Sequence, residues 1–474
     1  MADLTAHERR RLDELLRSQP ILGQVGALFA DAGQELALVG GPVRDALLGR
    51  AVTDLDFTTS ATPEQIEEIV GNWADATWDV GREFGTIALR KGEHQLEITT
   101  YRADEYDPAS RKPTVAFGTR LEDDLARRDF TVNAMAVRLP TADFVDIHGG
   151  LDDLADRTIR TPIGPEISFG DDPLRMMRAA RFVGQLGFIA APDVTAAMTQ
   201  MADRISIVSA ERVRDELSKL LLSQNPVAGL RVLVETKLAE QVLPELPALE
   251  LERDEHHRHK DVYEHSLTVL EQAIDLEYRL DTAPDLTIRL AALLHDVGKP
   301  KTRRFQNDGS VTFHHHDVVG AKLTNKRMRA LRYPNDLTDD VTKLVELHLR
   351  FHGYGTGEWT DSAVRRYVRD AGDQLERLHI LTRADSTTRN PRKALKLQRT
   401  YDDLEARIGQ LSAAEELKSI RPDLDGNEIM EILGVGPGRE VGEAYRFLLD
   451  LRLDRGPLPK EQAIEALSAW WAAR

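Results

Sequence analysis

Two aspartates flank one leucine at Asp54-Leu55-Asp56, shortly after Gly40-Gly41-Pro42-Val43-Arg44-Asp45, and this pairing constrains the chain more than any other segment. In an extended backbone successive side chains alternate between faces, so both carboxylates point the same way and form a clamp for a divalent cation. The glycines remove the Cβ atoms that would keep a turn away from a phosphate, and N–H groups exposed there can form an anion-binding nest. Arg44 adds a fixed cation. The apolar run Leu36-Ala37-Leu38-Val39 reads as a strand entering the turn, so strand, phosphate turn and metal strand follow in order. An acidic-x-acidic triplet alone reads more readily as a solvated turn; coupling to Gly-Gly and Val-Arg-Asp at this offset reverses that reading.

Further on, Arg127-Arg128-Asp129-Phe130-Thr131-Val132-Asn133-Ala134 follows an acidic helix start. The fork of Arg128 donates several hydrogen bonds at once and suits a phosphate, while Asp129 and Asn133 suit sugar hydroxyls. In Asp171-Asp172-Pro173-Leu174-Arg175-Met176-Met177-Arg178-Ala179-Ala180-Arg181-Phe182 the proline marks a helix start. Asp172 and Arg175, three apart, are expected on one helix face, with Arg178 and Arg181 continuing the stripe. An aspartate accepts from an exocyclic amine and an arginine donates to the adjacent ring nitrogen or carbonyl. Cytosine and adenine share that donor-then-acceptor edge, whereas uracil and guanine reverse it. The bland alternative is an acidic first turn complementing a helix dipole, with surface arginines.

In order, these segments resemble motif A, motif B and the nucleobase-reading motif of the class II tRNA nucleotidyltransferase and poly(A) polymerase family, within the DNA polymerase β-like nucleotidyltransferases. The reading motif is commonly Glu-Asp-x-x-Arg; Asp171 replaces the glutamate and leaves the reading pair intact. Asp146-Ile147-His148-Gly149-Gly150-Leu151-Asp152-Asp153-Leu154, with Arg160, resembles motif C, a joint between head and neck. Ser209-Ala210-Glu211-Arg212-Val213-Arg214-Asp215-Glu216-Leu217 resembles motif E, for which a Ser-x-Glu cap is the plain physical reading.

The resemblance implies an enzyme that adds or repairs the 3′-terminal CCA of tRNA from CTP and ATP without a nucleic-acid template, using two Mg²⁺ ions. Asp54 and Asp56 are then catalytic metal ligands. Glu97, in the alternating segment Gln95 to Tyr101, is the candidate third carboxylate, its alternative being an ordinary solvent-facing glutamate. Gly40, Gly41, Arg44, Arg128, Asp129, Asn133, Asp172, Arg175, Arg178 and Arg181 are the expected nucleotide-binding residues. Poly(A) polymerase is the nearest rival. Gly81-Arg82-Glu83-Phe84-Gly85-Thr86 and the lack of a long basic tail favour tRNA processing. The segment from Arg102 through Tyr106, Asp107, Arg111 and Pro113 resembles the family loop that helps the switch to ATP, which disfavours a CC-only enzyme.

The second half carries His265, His295-Asp296, His316, His348 and Asp385. His295-Asp296 ends the apolar run Leu290 to Leu294 before Val297-Gly298-Lys299-Pro300, a helix reaching its stop signals. This resembles an HD phosphohydrolase domain, which implies His265, His295, Asp296 and Asp385 as ligands of a divalent metal, with His316 and His348 binding phosphate or a second metal. Nitrogen and carboxylate donors without thiolate suit Mn, Fe, Co, Ni or Mg. His256-His257-Arg258-His259 and His314-His315 are expected to be ordinary polar residues. Two readings from other classes compete: an HD phosphohydrolase with a vestigial transferase head, and a non-catalytic RNA-binding scaffold.

The expected fold class is α+β, a small mixed-sheet polymerase β-like head followed by helices. The expected divisions are a head over 1–155, a helical neck over 156–250, an HD domain over 251–390 and a helical body and tail over 391–474. A chain of 474 residues, 41% of them hydrophobic, divides readily into several domains. The absence of cysteine excludes disulfides and thiolate chemistry and fits a cytoplasmic protein. No signal-peptide order and no membrane-length apolar run is present, so no membrane partner is expected. A net charge of −17 opposes indiscriminate RNA binding, so tRNA contact must be local. Arg389, Arg392, Lys393, Lys396 and Arg399 form one acid-free stripe for it, and Lys322, Lys326, Arg327, Arg329 and Arg332 another cluster. Oligomeric state has no signature in the sequence.

Overall fold

The computed structural model describes residues 4–79, 82, 85–102, 118–250, 261–308, 310–351, 360–387, 390–415 and 420–474. They fall into two compact units, Met1–Val242 and Leu243–Arg474.

The first unit opens with the amphipathic helix Ala6–Ser18, started by a capping box between Thr5 and Glu8. Strands β1 (Leu36–Val39), β2 (Leu55–Thr59), β3 (Ala76–Trp78), β4 (Thr86–Lys91), β5 (His94–Thr100), β6 (Met135–Leu139) and β7 (Phe144–Asp146) form one sheet in the order β3-β4-β5-β2-β1-β6-β7. Only β2 and β5 pair in parallel; the remaining pairs are antiparallel. β1 is buried along its whole length, as its unbroken apolar run requires of a strand covered on both faces. In β5 burial alternates, Leu96 and Ile98 inward and Glu97 outward. The helix Pro20–Asp31 buries Ile21, Leu22, Val25 and Phe29. It approaches β6 so closely that a Cβ on Gly26 would stand 2.8 Å from Leu139 Cβ.

After Ile159 regular structure is almost wholly helical. The helix Leu174–Leu186 packs against Ala210–Leu221 and Pro226–Glu235. Glycine permits the second contact, since a Cβ at Gly229 would lie 2.3 Å from the Ala180 carbonyl oxygen. Ser209 begins the helix Ala210–Leu221 without a side-chain capping bond, contrary to the expected Ser-x-Glu cap. The helix is tied instead by Glu216, buried on the face toward Arg178 and Arg181. Motif C has a definite local job: Asp146 accepts from the N–H groups of His148, Gly150 and Leu151 and so starts the helix Gly150–Ala155.

In the second unit the apolar helix Leu286–Leu294 is buried from Ile288 onward. Around it pack Val262–Asp275, Asn335–Leu347 and Leu375–Ala384. A separate small core of Leu424, Ile429, Ala444, Leu448, Ala463 and Leu467 organises the C-terminal helices. No described helix is long and apolar enough to cross a membrane.

Close backbone approach gives a direct test. A Cβ at Gly150 would stand 2.3 Å from the Thr131 carbonyl oxygen, backbone that cannot move aside easily. Gly150→Ala is expected to destabilise the first unit by about 1–3 kcal/mol, the usual cost of overpacking. Gly170→Ala, with nothing within 4 Å of the added methyl, should leave thermal unfolding unchanged or slightly improved. Equal melting temperatures for wild type and Gly150→Ala would refute the contact.

Candidate active site and candidate metal centre

The parallel register of β2 and β5 sets Asp56 directly opposite Glu97. Asp54 is exposed and immediately precedes β2, and Asp56 is half-buried within it. Burial, then the charges of Glu97 and Asp54, push the Asp56 carboxyl up to about 6, with Arg128 pulling the other way. Negative charge is thus gathered at an energetic cost, and a divalent cation is the group that relieves it. Carboxylate oxygens such as those of Asp56 and Glu97 suit magnesium, while among the described residues the acid and histidine groups whose ligand atoms all lie within 4.8 Å of one another are in the second unit.

Gly40 ends β1 with φ 80 and leads into the helix Gly41–Leu47, a turn that favours glycine. A Cβ there would lie 3.3 Å from Arg128 Nη1, so the guanidinium covers the turn. Arg128 Nη2 donates to Asp124 at 3.1 Å, while its Nε is buried without a protein partner. Asp124 is fully buried and also accepts from Thr58 Oγ1 at 3.1 Å, from the Arg102 N–H and from Arg127 Nε at 3.0 Å. Burial opposes its ionisation, yet Arg128 and Arg127 hold the carboxyl below the usual range. Asp124 therefore aims Arg128 and links it to β2 through Thr58. Sequence reasoning missed it because Glu122, Asp123 and Asp124 look alike as the acidic first turn of a short helix.

The other residues expected to bind nucleotide form a polar chain inside the first unit. Arg44 donates through Nη1 to Asn133 Oδ1 at 2.6 Å and through Nε and Nη2 to Asp45, both at 2.9 Å. Asn133 Nδ2 donates to Asp129 Oδ1 at 3.0 Å, and Arg178 Nε donates to Asp129 Oδ2 at 2.8 Å. Arg181 Nε donates to Glu216 at 2.6 Å, and Arg178 Nη1 reaches the other oxygen of Glu216 at 3.5 Å. Asp129 is buried, but Arg178 and the Asn133 amide keep it far below the ordinary carboxylate range. The Arg44, Arg178 and Arg181 guanidinium carbons lie 5.3, 5.6 and 4.2 Å from the Phe182 ring centroid. The arrangement joins the glycine turn to the helix Leu174–Leu186. Asp129 and Asn133 thus spend hydrogen bonds on one another and on arginines here, and Arg44 is 5% exposed.

Asp172 and Arg175 are neighbours, but not on one helix face as expected. Asp172 lies before the helix Leu174–Leu186 in an extended conformation, because Pro173 disfavours a helical residue ahead of it. Its carboxylate accepts from the Leu174 N–H at 3.1 Å and from Arg212 Nη2 at 2.8 Å. Arg175 is buried, donating through Nη1 to Ser168 Oγ at 2.9 Å and through Nη2 to the Arg127 carbonyl at 2.5 Å. Arg212, which sequence reasoning quoted only within motif E, is therefore a direct partner of the expected base reader.

In the second unit all six expected residues converge. His265 Nε2 is 2.9 Å from Asp385 Oδ1 and 3.6 Å from Asp296 Oδ2. His295 Nε2 lies 3.2 Å from Asp296 Oδ2 and 3.6 Å from Asp385 Oδ1, without hydrogen-bonding geometry to any partner. The other oxygen of Asp296 is 3.3 Å from His316 Nε2 and 4.0 Å from His348 Nε2. Two triads result, His265-His295-Asp385 and Asp296-His316-His348. The Nδ1 atoms of His295, His316 and His348 each lie against the carbonyl three residues earlier, at 2.8, 2.8 and 2.6 Å. That orientation turns every Nε2 lone pair inward, as a metal ligand requires. Burial would lower the His295 pKa, but Asp296 and Asp385 raise it to about 10, so this is a place that favours positive charge. Donor types and orientation fit a divalent metal. Gly298 lets the turn after Asp296 meet the next helix, since a Cβ there would lie 2.0 Å from the His316 carbonyl oxygen. His314 and His315 are exposed, as expected.

Arg392, Lys393, Lys396 and Arg399 are exposed on the helix Pro391–Ala414. Arg389 lies outside the described residues, as do 103–117 and Gly81, Glu83 and Phe84. In the other basic cluster Arg327 is paired with Glu245 at 2.8 Å, which reduces its value to a phosphate.

Asp56 yields a prediction with a definite sign. Its folded pKa of about 6 exceeds the ordinary aspartate value of 3.8, so ionisation costs metal-free protein stability above that pH, and the cost fades as pH falls through 6 toward 4. Asp56→Asn is expected to raise the melting temperature of metal-free protein at about pH 8, with a gain that shrinks as pH falls below about 6. Magnesium should stabilise wild type and not the variant. A pH-independent effect would contradict the electrostatic account.

Comparison with known proteins shows the family and the fold. Residues 36–160 match the family described as the poly A polymerase head domain, residues 187–249 that described as Probable RNA and SrmB- binding site of polymerase A, and residues 262–390 the HD domain. An A-adding tRNA nucleotidyltransferase of Deinococcus radiodurans is 35% identical over 92% of this chain and 95% of its own. A CCA-adding enzyme of Bacillus pumilus is 40% identical, over 47% of this chain and about half of its own length, 53%. The crystal structure of Bacillus stearothermophilus CCA-adding enzyme in complex with CTP superposes with a TM-score of 0.67 at 25% identity, covering 95% of this chain and 97% of that one. The chain belongs to the tRNA nucleotidyltransferase and poly(A) polymerase family and carries an HD domain behind its polymerase head.

Proposed function

We propose that this chain adds or restores the CCA end of tRNA from CTP and ATP, and that its second unit hydrolyses phosphoesters at RNA ends. One observation carries the first part: the register that seats Asp56 beside Glu97, next to the Gly40 turn covered by Arg128. In the reaction the terminal 3′-oxygen bonds to the α-phosphorus, the bond to the β-phosphate's bridging oxygen breaks, and pyrophosphate leaves. Magnesium held by Asp54 and Asp56, with Glu97 alongside, would lower the pKa of the attacking hydroxyl and neutralise the departing charge. Arg128 meets the triphosphate with a guanidinium already aimed by Asp124. Asp172 accepts from the exocyclic amine of C or A, and Arg175 donates to the neighbouring ring atom. Each must first give up its present partner, Arg212 for Asp172 and Ser168 or the Arg127 carbonyl for Arg175. C and A replace those bonds, whereas U and G leave donors and acceptors mismatched, and discrimination follows.

The full-length relative from Deinococcus radiodurans is named for A addition alone, so product length must be measured. The reading favours full CCA because one Asp-Arg pair suits both bases and because the Arg102 to Pro113 segment resembles the loop for the ATP switch. We assign the head to 1–155, the neck to 156–250, the HD domain to 251–390 and the body to 391–474. Arg392, Lys393, Lys396 and Arg399, with Arg389, supply a local cationic stripe for tRNA on an acidic chain. A cysteine-free chain suits a reducing cytoplasm.

The hydrolase reading rests on the inward-turned Nε2 atoms about Asp296. His265, His295, Asp296 and Asp385 would hold one divalent ion, and Asp296, His316 and His348 a second; Mn, Fe, Co, Ni and Mg all suit the donors. Such a centre supplies hydroxide near neutral pH. The oxygen of water then bonds to phosphorus, one P–O ester bond breaks, and the proton ends on the leaving oxygen.

A tRNA ending before its CCA, incubated with each nucleotide and resolved at single-nucleotide length, decides among the readings. CTP alone should give two additions, CTP with ATP three, and ATP alone none. Extension only of a substrate already ending in CC would mark A-only addition, arrest after CC a CC-only enzyme, and an adenosine ladder a poly(A) polymerase. Asp54→Ala should lower incorporation at least about a thousandfold while the protein stays folded. Asp172→Ala should relax preference against UTP and GTP by about tenfold or more; unchanged preference would place base reading elsewhere.

The two centres should be separable. His295→Ala is expected to abolish metal-dependent phosphodiesterase activity and leave CCA addition within about twofold, since the two sets of residues belong to separate compact units and share no partner among the described residues. Full hydrolysis by the folded variant would remove the hydrolytic assignment.

A further inference from the structure

Between Asp296 and His316 the second unit carries a small hairpin whose side chains serve neither the metal centre nor a core. Its strands, Arg304–Phe305 and Val311–Thr312, pair antiparallel with Phe305 opposite Val311. Phe305 is 68% exposed, an apolar ring offered to water with no folding gain. The Arg303 guanidinium carbon stands 4.7 Å from the ring centroid. Lys301 and Arg304 are exposed on either side of Arg303 in the chain. The sequence from residue 299 to residue 315 holds four basic residues, Lys299, Lys301, Arg303 and Arg304, and one acidic residue, Asp308, within a chain whose net charge is −17.

Both ends of this hairpin are tied to the metal centre. The helix Lys299–Thr302 starts three residues after Asp296, and Lys299 Nζ reaches Asp296 Oδ2 at 2.5 Å. His316 follows Thr312 by four residues, a span of at most about 14 Å. A cationic face with an exposed aromatic ring therefore adjoins a phosphoester site. Aromatic rings stack on bases of any identity, and lysine and arginine track phosphates.

We propose that this hairpin receives an RNA strand whose phosphate-bearing 3′ end enters the HD centre, a base stacking on Phe305 while Lys301 and Arg304 meet the flanking phosphates. The inference rests on the hydrolase reading and narrows its substrate. A mononucleotide would need only the buried cluster; an exposed cationic strand serves a ligand that continues outward. For a 2′,3′-cyclic end the oxygen of water bonds to phosphorus, one ring P–O bond breaks, and the released ribose oxygen takes the proton.

The test uses full-length enzyme with Mn²⁺ and two substrates, a short RNA ending in a 2′,3′-cyclic phosphate and bis(p-nitrophenyl) phosphate, which has no strand to hold. Phe305→Ala is expected to raise KM for the RNA about tenfold with kcat little changed, and to leave the small ester's turnover as in wild type. Arg304→Gln should also weaken RNA hydrolysis and flatten its salt dependence. Unchanged RNA kinetics in both variants, or equal losses on both substrates, would overturn the platform. Wild type that cleaves the small ester but not RNA would overturn it while sparing the hydrolase reading. Wild type inert toward both would overturn the two together.

Discussion

A carboxylate removed from water must find counter-charge within a few ångströms, and both candidate centres of this chain are arranged around carboxylates in that position. Asp124, Asp129 and Glu216 in the first unit, and Asp296 in the second, are each 9% exposed or less. Every one is met by arginine, or by lysine and histidine, at hydrogen-bonding distance. Arginine can satisfy two acceptors while stacking on a ring, which explains why the first network gathers Arg44, Arg178 and Arg181 about Phe182. Around Asp296 the same demand is met by histidines whose inward nitrogens suit a metal.

Asp56 shows the opposite condition. Among the described residues no hydrogen bond or ion pair serves its carboxylate, and its neighbours Glu97 and Asp54 add to the negative potential. The fold tolerates this electrostatic cost at Asp56, while Asp124, bonded to Thr58 of the same strand, is neutralised by arginine. Electrostatic cost is placed where chemistry needs it and relieved where geometry must be held.

On the proposed reading, base selection depends on exchange. Asp172 and Arg175 have partners already, so a nucleotide would be selected by how completely it replaces Arg212, Ser168 and the Arg127 carbonyl. Such replacement penalises a mismatched base twice, by bonds not made and by bonds broken. The polar chain from Arg44 to Glu216 meanwhile keeps the helix Leu174–Leu186 in fixed relation to the glycine turn.

The acidic triplet at the start of β2, the Gly-Gly turn and the histidines that converge in the second unit were legible as candidates from residue order, because residue types at short spacings mark them. The strand segments and the change to helices after Ile159 were legible too, since periodicities of two and 3.6 are local. Asp172 was misplaced on a helical face because spacing was weighed ahead of the constraint Pro173 puts on the residue before it. The expected cap at Ser209 failed likewise, as capping needs a side-chain rotamer that a motif does not specify. What tertiary structure alone decided were relations across the chain. They include the pairing of Asp56 with Glu97, the four groups that converge on Asp124, the link from Asp172 to Arg212 and the two-sided use of Asp296. Residues tens of positions apart meet through sheet register and helix packing, and those depend on long-range contacts that no short stretch of sequence contains.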